Sequence, residues 1–280
     1  KIIRRNAKNF LPYISCRGSI PIVGCKKYKL KIIYWRFLSF ISYFLNFKII
    51  GSSAYESSHI STFFKQNIRQ IIYSIPDINL QKIYFDQNDK KIERIINSKT
   101  NLQNINNNMK KKTIQILIPS RNSEEKGVIE ILKLLYKESN FESKYYFNFT
   151  FCCESDLNKD NKKKSEQINF KFLGWLDLDA FLFNLSRTDI VIIPSLYESF
   201  SIAAYQSLLL GKKLIITQNS PWKFISKEYD EFPIFTCPPL LRNYDLTTLL
   251  REIENLYNSN NKLLIKDDLL EAINKEAENF

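Results

Sequence analysis

From Thr113 onward, short apolar runs alternate with stretches in which apolar residues recur every three to four positions. Ile114–Ile118, Tyr146–Cys152, Ile168–Leu173, Ile190–Ile193 and Lys213–Thr217 read as strands. Between and after them, helices are predicted over Val128–Tyr136, Leu178–Leu185, Ile202–Leu210 and Leu246–Tyr257. Strands and helices alternating at this spacing imply βαβ units, hence a parallel sheet covered on both faces. The fold class expected for 113–250 is therefore α/β, a Rossmann-like domain. Ligands of such sheets bind beyond the carboxyl ends of the strands, so the loops after each strand are where chemistry is sought.

The chain before Thr113 has a different texture. Lys26–Phe47 has helical periodicity through Leu30, Ile33, Tyr34, Phe37, Leu38, Ile41, Phe44 and Leu45, with Lys26, Lys27, Lys29, Lys31 and Arg36 beside that stripe. A stripe of this kind normally packs on a domain core. The alternative is a helix lying on an anionic membrane surface, which also combines basic and aromatic residues. A short strand is expected near Lys48–Ser52 and a second helix over Ser53–Lys65. Asp86–Lys112 is polar and nearly free of core residues, a linker or surface excursion, and Asp156–Glu166 reads as a solvated insert. The organisation expected is a partial amino-terminal lobe (1–85), a linker (86–112), the Rossmann-like domain (113–250) and carboxy-terminal helices (251–280).

Composition narrows the partners. A net charge of +12 suits an anionic ligand or surface. No nucleic-acid-reading motif accompanies it, so nucleic acid is not expected as a partner. The five cysteines form no CxxC pair and there is one histidine, so neither a disulfide framework nor a zinc site is expected. Ile32–Phe47 is interrupted by Arg36 and falls short of the roughly 20 residues needed to span a bilayer core. A reduced, cytoplasmic setting follows as the expectation.

Two strand-end loops hold the candidate chemistry. After Ile118 come Arg121, Lys126 and Gly127, two cations straddling a strand-to-helix turn, a plausible cradle for phosphate. After Ile193 come Pro194-Ser195-Leu196-Tyr197-Glu198-Ser199-Phe200-Ser201-Ile202, with Gln206 on the helix that follows. Glu198 there can accept hydrogen bonds from sugar hydroxyls, or simply favour the helix start through the macrodipole.

In order and spacing these segments resemble the donor-binding domain of GT4-type retaining glycosyltransferases with the GT-B fold. The resemblance covers Arg121, Lys126 and Gly127, then Phe172-Leu173-Gly174, then Pro194–Phe200 opening an E-x7-E motif, then Gly211–Thr217. Ser220-Pro221-Trp222 is similar to an element of a bacterial branch that builds surface polysaccharides, and Arg17-Gly18, Ser53, Glu56 and Ile75-Pro76-Asp77 fit the same branch. The resemblance implies a GT-B protein, truncated at its amino end, that moves a sugar from a nucleotide diphosphate-sugar to a glycan or lipid-linked acceptor. It implies no cofactor and no metal. Arg121 and Lys126 would stabilise the leaving diphosphate, Glu198 would orient sugar hydroxyls and Gln206 would hold the ribose. Gly127, Gly174, Ser199, Phe200, Ser201 and Ile202 would line the donor site, Trp175 the base pocket, and Arg17 and Gly18 the acceptor side.

Departures from the pattern are specific. Gln206 replaces the second acid, and Ser201 stands where the family has glycine. His59 does not occupy the place of the family's cleft histidine and reads as structural. Asp177-Leu178-Asp179 spells the DxD of metal-dependent transferases but opens a helix, so capping explains it. These departures leave a second reading, a catalytically inactive relative that binds a nucleotide sugar or a partner.

Overall fold

The computed structural model describes residues 13–15, 33, 36–37, 40–41, 48–51, 70–71, 112–137, 141–154, 166–198, 200–228, 232–259, 269 and 271–272. The expectations for Arg17, Gly18, His59 and Ser199, and for most of the linker and the insert, lie outside these residues.

Six strands form one sheet: β4 (Lys112–Ile118), β5 (Tyr145–Phe151), β6 (Ile168–Phe172), β7 (Ile190–Ile193), β8 (Lys213–Thr217) and β9 (Ile234–Cys237). Their order is β6-β5-β4-β7-β8-β9 and every pair is parallel. This is the doubly wound order, whose direction reverses between β4 and β7. Three further short strands, β1 (Tyr13–Ser15), β2 (Lys48–Gly51) and β3 (Gln70–Ile71), pair in parallel as a separate sheet in the order β1-β2-β3.

Side-chain alternation explains the two-faced core. Along β4, Ile114, Ile116 and Ile118 face one layer while Leu117 faces the other. The first layer receives α1 (Val128–Leu135) and α5 (Leu246–Asn258) through Val128, Ile131, Leu249 and Ile253. The second receives α2 (Leu178–Ser186), α3 (Ile202–Leu209) and α4 (Trp222–Glu228) through Leu182, Leu185, Ala204, Tyr205 and Trp222. Central β7 reads Ile-Val-Ile-Ile and is buried on both faces, as a parallel strand between helix layers must be. Each such side chain contributes roughly 1.5–3 kcal/mol relative to exposure. Edge strand β6 instead exposes Asn169 and Lys171, polar groups that discourage further strand addition.

Helix ends follow from local chemistry. Asp177 accepts a hydrogen bond from the Ala180 N–H at 2.8 Å, which gives the first acid of Asp177-Leu178-Asp179 its capping role. Asp245 caps α5 through the Thr248 N–H. At the other end of α5, the Lys213 ammonium donates to the carbonyls of Leu256, Tyr257 and Ser259, each at 2.7 Å, tying β8 to the helix terminus. Helix α5 runs past residue 250, and Ile253 and Leu256 join the same core as Leu249.

Two residues of the predicted stripe depart from the core-packing expectation: Ile33 is 63% exposed and Phe37 58%, beside an exposed Arg36. Ile41 is half-buried, and the rest of the stripe lies outside the described residues.

Candidate donor-binding site

The reversal between β4 and β7 places their two following loops side by side at the carboxyl edge of the sheet. The β4 loop descends through Pro119–Ser123, makes a 3-10 turn over Glu124–Lys126 and enters α1 at Gly127. Gly127 has φ +72°, and a Cβ there would lie 2.8 Å from the Pro194 carbonyl oxygen and 2.9 Å from Pro194 Cγ. Only glycine meets both demands. The Leu196 N–H donates to the Glu125 carbonyl at 2.7 Å, closing the two loops onto each other.

That contact brings Lys126 to Glu198. The ammonium donates to Glu198 Oε1 at 2.6 Å, and the Ser195 hydroxyl donates to the same oxygen at 2.5 Å. Glu198 is buried and Lys126 partly so, which makes this a charge-assisted pair shielded from water. Arg121 takes another partner. It donates to Glu125 Oε1 at 2.8 Å, one helical turn along the chain and well exposed. Burial would raise the Glu125 carboxyl, but backbone N–H donation and the Arg121 charge hold it below its ordinary value. Arg121 and Lys126 thus share one loop, each engaged with a different carboxylate.

The remaining candidates ring this pair. Phe200 is buried and Ile202 exposed at the start of α3. Ser201 has φ +64° and ψ 87°, a left-handed conformation that explains why the resembled family has glycine at this position. Gln206 is buried on α3. Gly174 also has positive φ, donates to the Cys153 carbonyl and leads to Trp175, which is 74% exposed at the end of β6.

Three contributors escaped the sequence reading. Glu125 was legible as the i,i+4 partner of Arg121. Ser195 was legible too, three residues before Glu198. Asn219 was not: it follows β8, accepts from the Glu198 N–H through its carbonyl and donates from its side chain to the Leu196 carbonyl, contacts that only the strand order brings about. Asp189, raised by burial against the pull of Lys212, Lys112 and Lys213, sits before β7 and accepts from the Gln115 N–H. That is the amino edge of the sheet, away from the site.

The sheet is doubly wound, and its lysine–carboxylate pair sits at the switch point where folds of this kind bind their ligands. Residues 98–263 match the family model "Glycosyl transferases group 1", and the chain belongs to that family of sugar-transferring enzymes. A Klebsiella pneumoniae relative, described as an uncharacterized 41.2 kDa protein in the cps region, is 28% identical over 168 residues, covering 60% of this chain and 41% of the relative. Among solved structures, sucrose-phosphate synthase from Thermosynechococcus elongatus superposes with a TM-score of 0.58 at 12% identity, over 89% of this chain and 59% of that one. A Rickettsia africae glycosyltransferase gives 0.53 at 18% identity, over 95% and 66%. Anabaena Alr3699/HepE, solved with UDP and glucose, gives 0.51 at 14% identity, over 89% and 61%. These likenesses establish the α/β, GT-B fold class. The chain spans less than half of the Klebsiella relative's length and about three fifths of the first of these structures.

Proposed function

We propose that this chain holds the donor side of a GT4-type glycosyltransferase that transfers a hexose-type sugar, with retention, from a nucleotide diphosphate-sugar to a glycan or lipid-linked acceptor. The setting proposed is cytoplasmic synthesis of a surface polysaccharide or glycolipid, supported by the cps-region relative. The observation that carries the reading is the Lys126–Glu198 pair at the β4/β7 switch point. A lysine already oriented toward a buried carboxylate needs little reorganisation to meet a diphosphate oxygen, and Glu198, freed of that partner, can accept from sugar hydroxyls. Arg121 can exchange the Glu125 carboxylate for phosphate in the same way. Fixed cationic donors facing a departing diphosphate supply the electrostatic stabilisation that usually dominates such catalysis, in place of a metal ion. Gln206 would hold the ribose through its carbonyl and amide, with Trp175 against the base. Arg17 and Gly18 are assigned to the acceptor side by resemblance.

Because HepE was solved with UDP and glucose, UDP is the first nucleotide to try. Titration calorimetry should show saturable binding of UDP or GDP to the chain. Heat of dilution alone with both nucleotides would overturn the donor-site reading. The replacement of the family's second acid by Gln206 favours the second reading, a nucleotide-sugar-binding relative without turnover. Product formation on a lipid-linked acceptor separates the two.

Ile33 and Phe37 support a further element, peripheral contact with an anionic membrane surface. Both are exposed beside Arg36, and the neighbouring sequence supplies Lys26, Lys27, Lys29 and Lys31. Among the described residues no helix is long and apolar enough to cross a membrane. Vesicles containing phosphatidylglycerol should retain the chain at low salt and release it at high salt. An Ile33→Ser/Phe37→Ser variant should lose about tenfold or more in partitioning, given roughly 1.5–3 kcal/mol for each large apolar side chain fully buried. Equal binding to neutral phosphatidylcholine vesicles would sink the charge argument.

A further inference from the structure

The segment after β8 grips the β7 loop at three points. Asn219 takes two of them, accepting from the Glu198 N–H at 3.0 Å and donating to the Leu196 carbonyl at 3.0 Å. The third is Trp222, whose indole N–H donates to the Phe200 carbonyl at 2.5 Å. Trp222 is completely buried, and its ring lies 5.5 Å from that of Phe200. The carbonyl it holds immediately precedes Ser201, the residue forced into a left-handed conformation at the start of α3. Ser201 makes no side-chain cap to steady that turn. A non-glycine residue persists in such a conformation only when its surroundings over-determine it.

We infer that Trp222 and Asn219 are positioning residues. They hold Glu198 and the Phe200–Ser201 turn in place, with Trp222 compensating for the serine in a left-handed conformation. Phe200's carbonyl is fixed by the indole, the orientation of the following peptide is thereby set, and Ser201 enters α3 in its left-handed conformation. The inference rests on the donor-site reading for its functional consequence and on hydrogen-bond geometry alone for its structural one. Two readouts therefore keep the two separable.

Trp222→Phe keeps an aromatic ring in the core but removes the donor. Backbone amides at 200–205 should exchange with deuterium faster in this variant, whether or not a ligand is present. UDP or GDP binding should weaken about tenfold, the consequence of losing one buried hydrogen bond's worth of order. Adding Ser201→Gly, which makes the left-handed turn intrinsic, should restore most of the lost affinity without restoring the indole bond. A role limited to core packing would lower the melting temperature with no rescue of binding by the glycine. Unchanged amide exchange and affinity in Trp222→Phe, or failure of Ser201→Gly to rescue, overturns the inference. Should Trp222→Phe not fold, Asn219→Ala, which removes the side-chain donor to the Leu196 carbonyl and keeps the main-chain acceptor for Glu198, decides: faster exchange at 196–198 with weaker binding supports the clamp, and parental behaviour overturns it. If the parent chain binds neither nucleotide, the donor reading falls while amide exchange still decides the clamp.

Discussion

Replacing Arg121 and Lys126 together by alanine is expected to weaken UDP or GDP binding by at least a hundredfold. Hydrogen bonds to charged groups contribute about 1.5–3 kcal/mol each, so two lost cations cost roughly 3–6 kcal/mol, and each 1.4 kcal/mol is tenfold. The two contributions should differ. Lys126 is partly buried and directed at Glu198, so its loss also leaves a buried carboxylate that, among the described residues, keeps the Ser195 hydroxyl as its one side-chain donor. Arg121 is exposed and its pair with Glu125 is a surface pair, worth little to folding. The single Arg121→Ala variant should therefore melt close to the parent while losing affinity, whereas Lys126→Ala should lose both. Titration calorimetry beside thermal melts checks this, and a double variant that binds nucleotide like the parent would remove the cradle.

Gly127→Ala should destabilise the fold by about 2–6 kcal/mol. A left-handed non-glycine residue costs roughly 1–3 kcal/mol, and forcing a methyl group against a packed neighbour typically adds about 1–3 kcal/mol. At Gly127 that neighbour is backbone, the Pro194 carbonyl at 2.8 Å, which cannot rotate away. Gly174 supplies the internal control. It shares a φ of +72°, but the nearest atom to a Cβ there is a flexible Glu154 carbon at 4.0 Å. Gly174→Ala should therefore show only the conformational cost, roughly 1–3 kcal/mol. Urea unfolding midpoints for the two variants measure the difference, and equal losses would show that the Pro194 contact carries no cost.

The two halves of the site differed in how far sequence reasoning reached them. Strand β7 was readable because Ile190–Ile193 is an unbroken apolar run in a doubly covered sheet. Strand β9 was not: Ile234–Cys237 is a four-residue edge strand between Pro233 and Pro238, and its first three residues are only half-buried. Helix α4 hid behind Pro221 for a related reason, since seven residues give too little periodicity to register. Chemistry followed the same division. Lys126 and Glu198 are 72 positions apart, and no local pattern says that they meet. Their order within a familiar series of motifs assigns both to one donor site but does not pair them. The three-point grip of Asn219 and Trp222 depends on how the loops after β7 and β8 stack, which propensity does not encode. Exposure of Ile33 and Phe37 belongs here too, because a helical period tells which residues share a face and nothing of what covers it.

The direct touch between Gly127 and Pro194 acts as a spacer. With no side chain between the two loops, their separation is set by main-chain atoms and cannot be adjusted by rotamer changes. The main-chain positions from which Lys126 and Glu198 project are therefore set by backbone, and the adjustment left between the two loops is that of these two side chains, which meet at 2.6 Å.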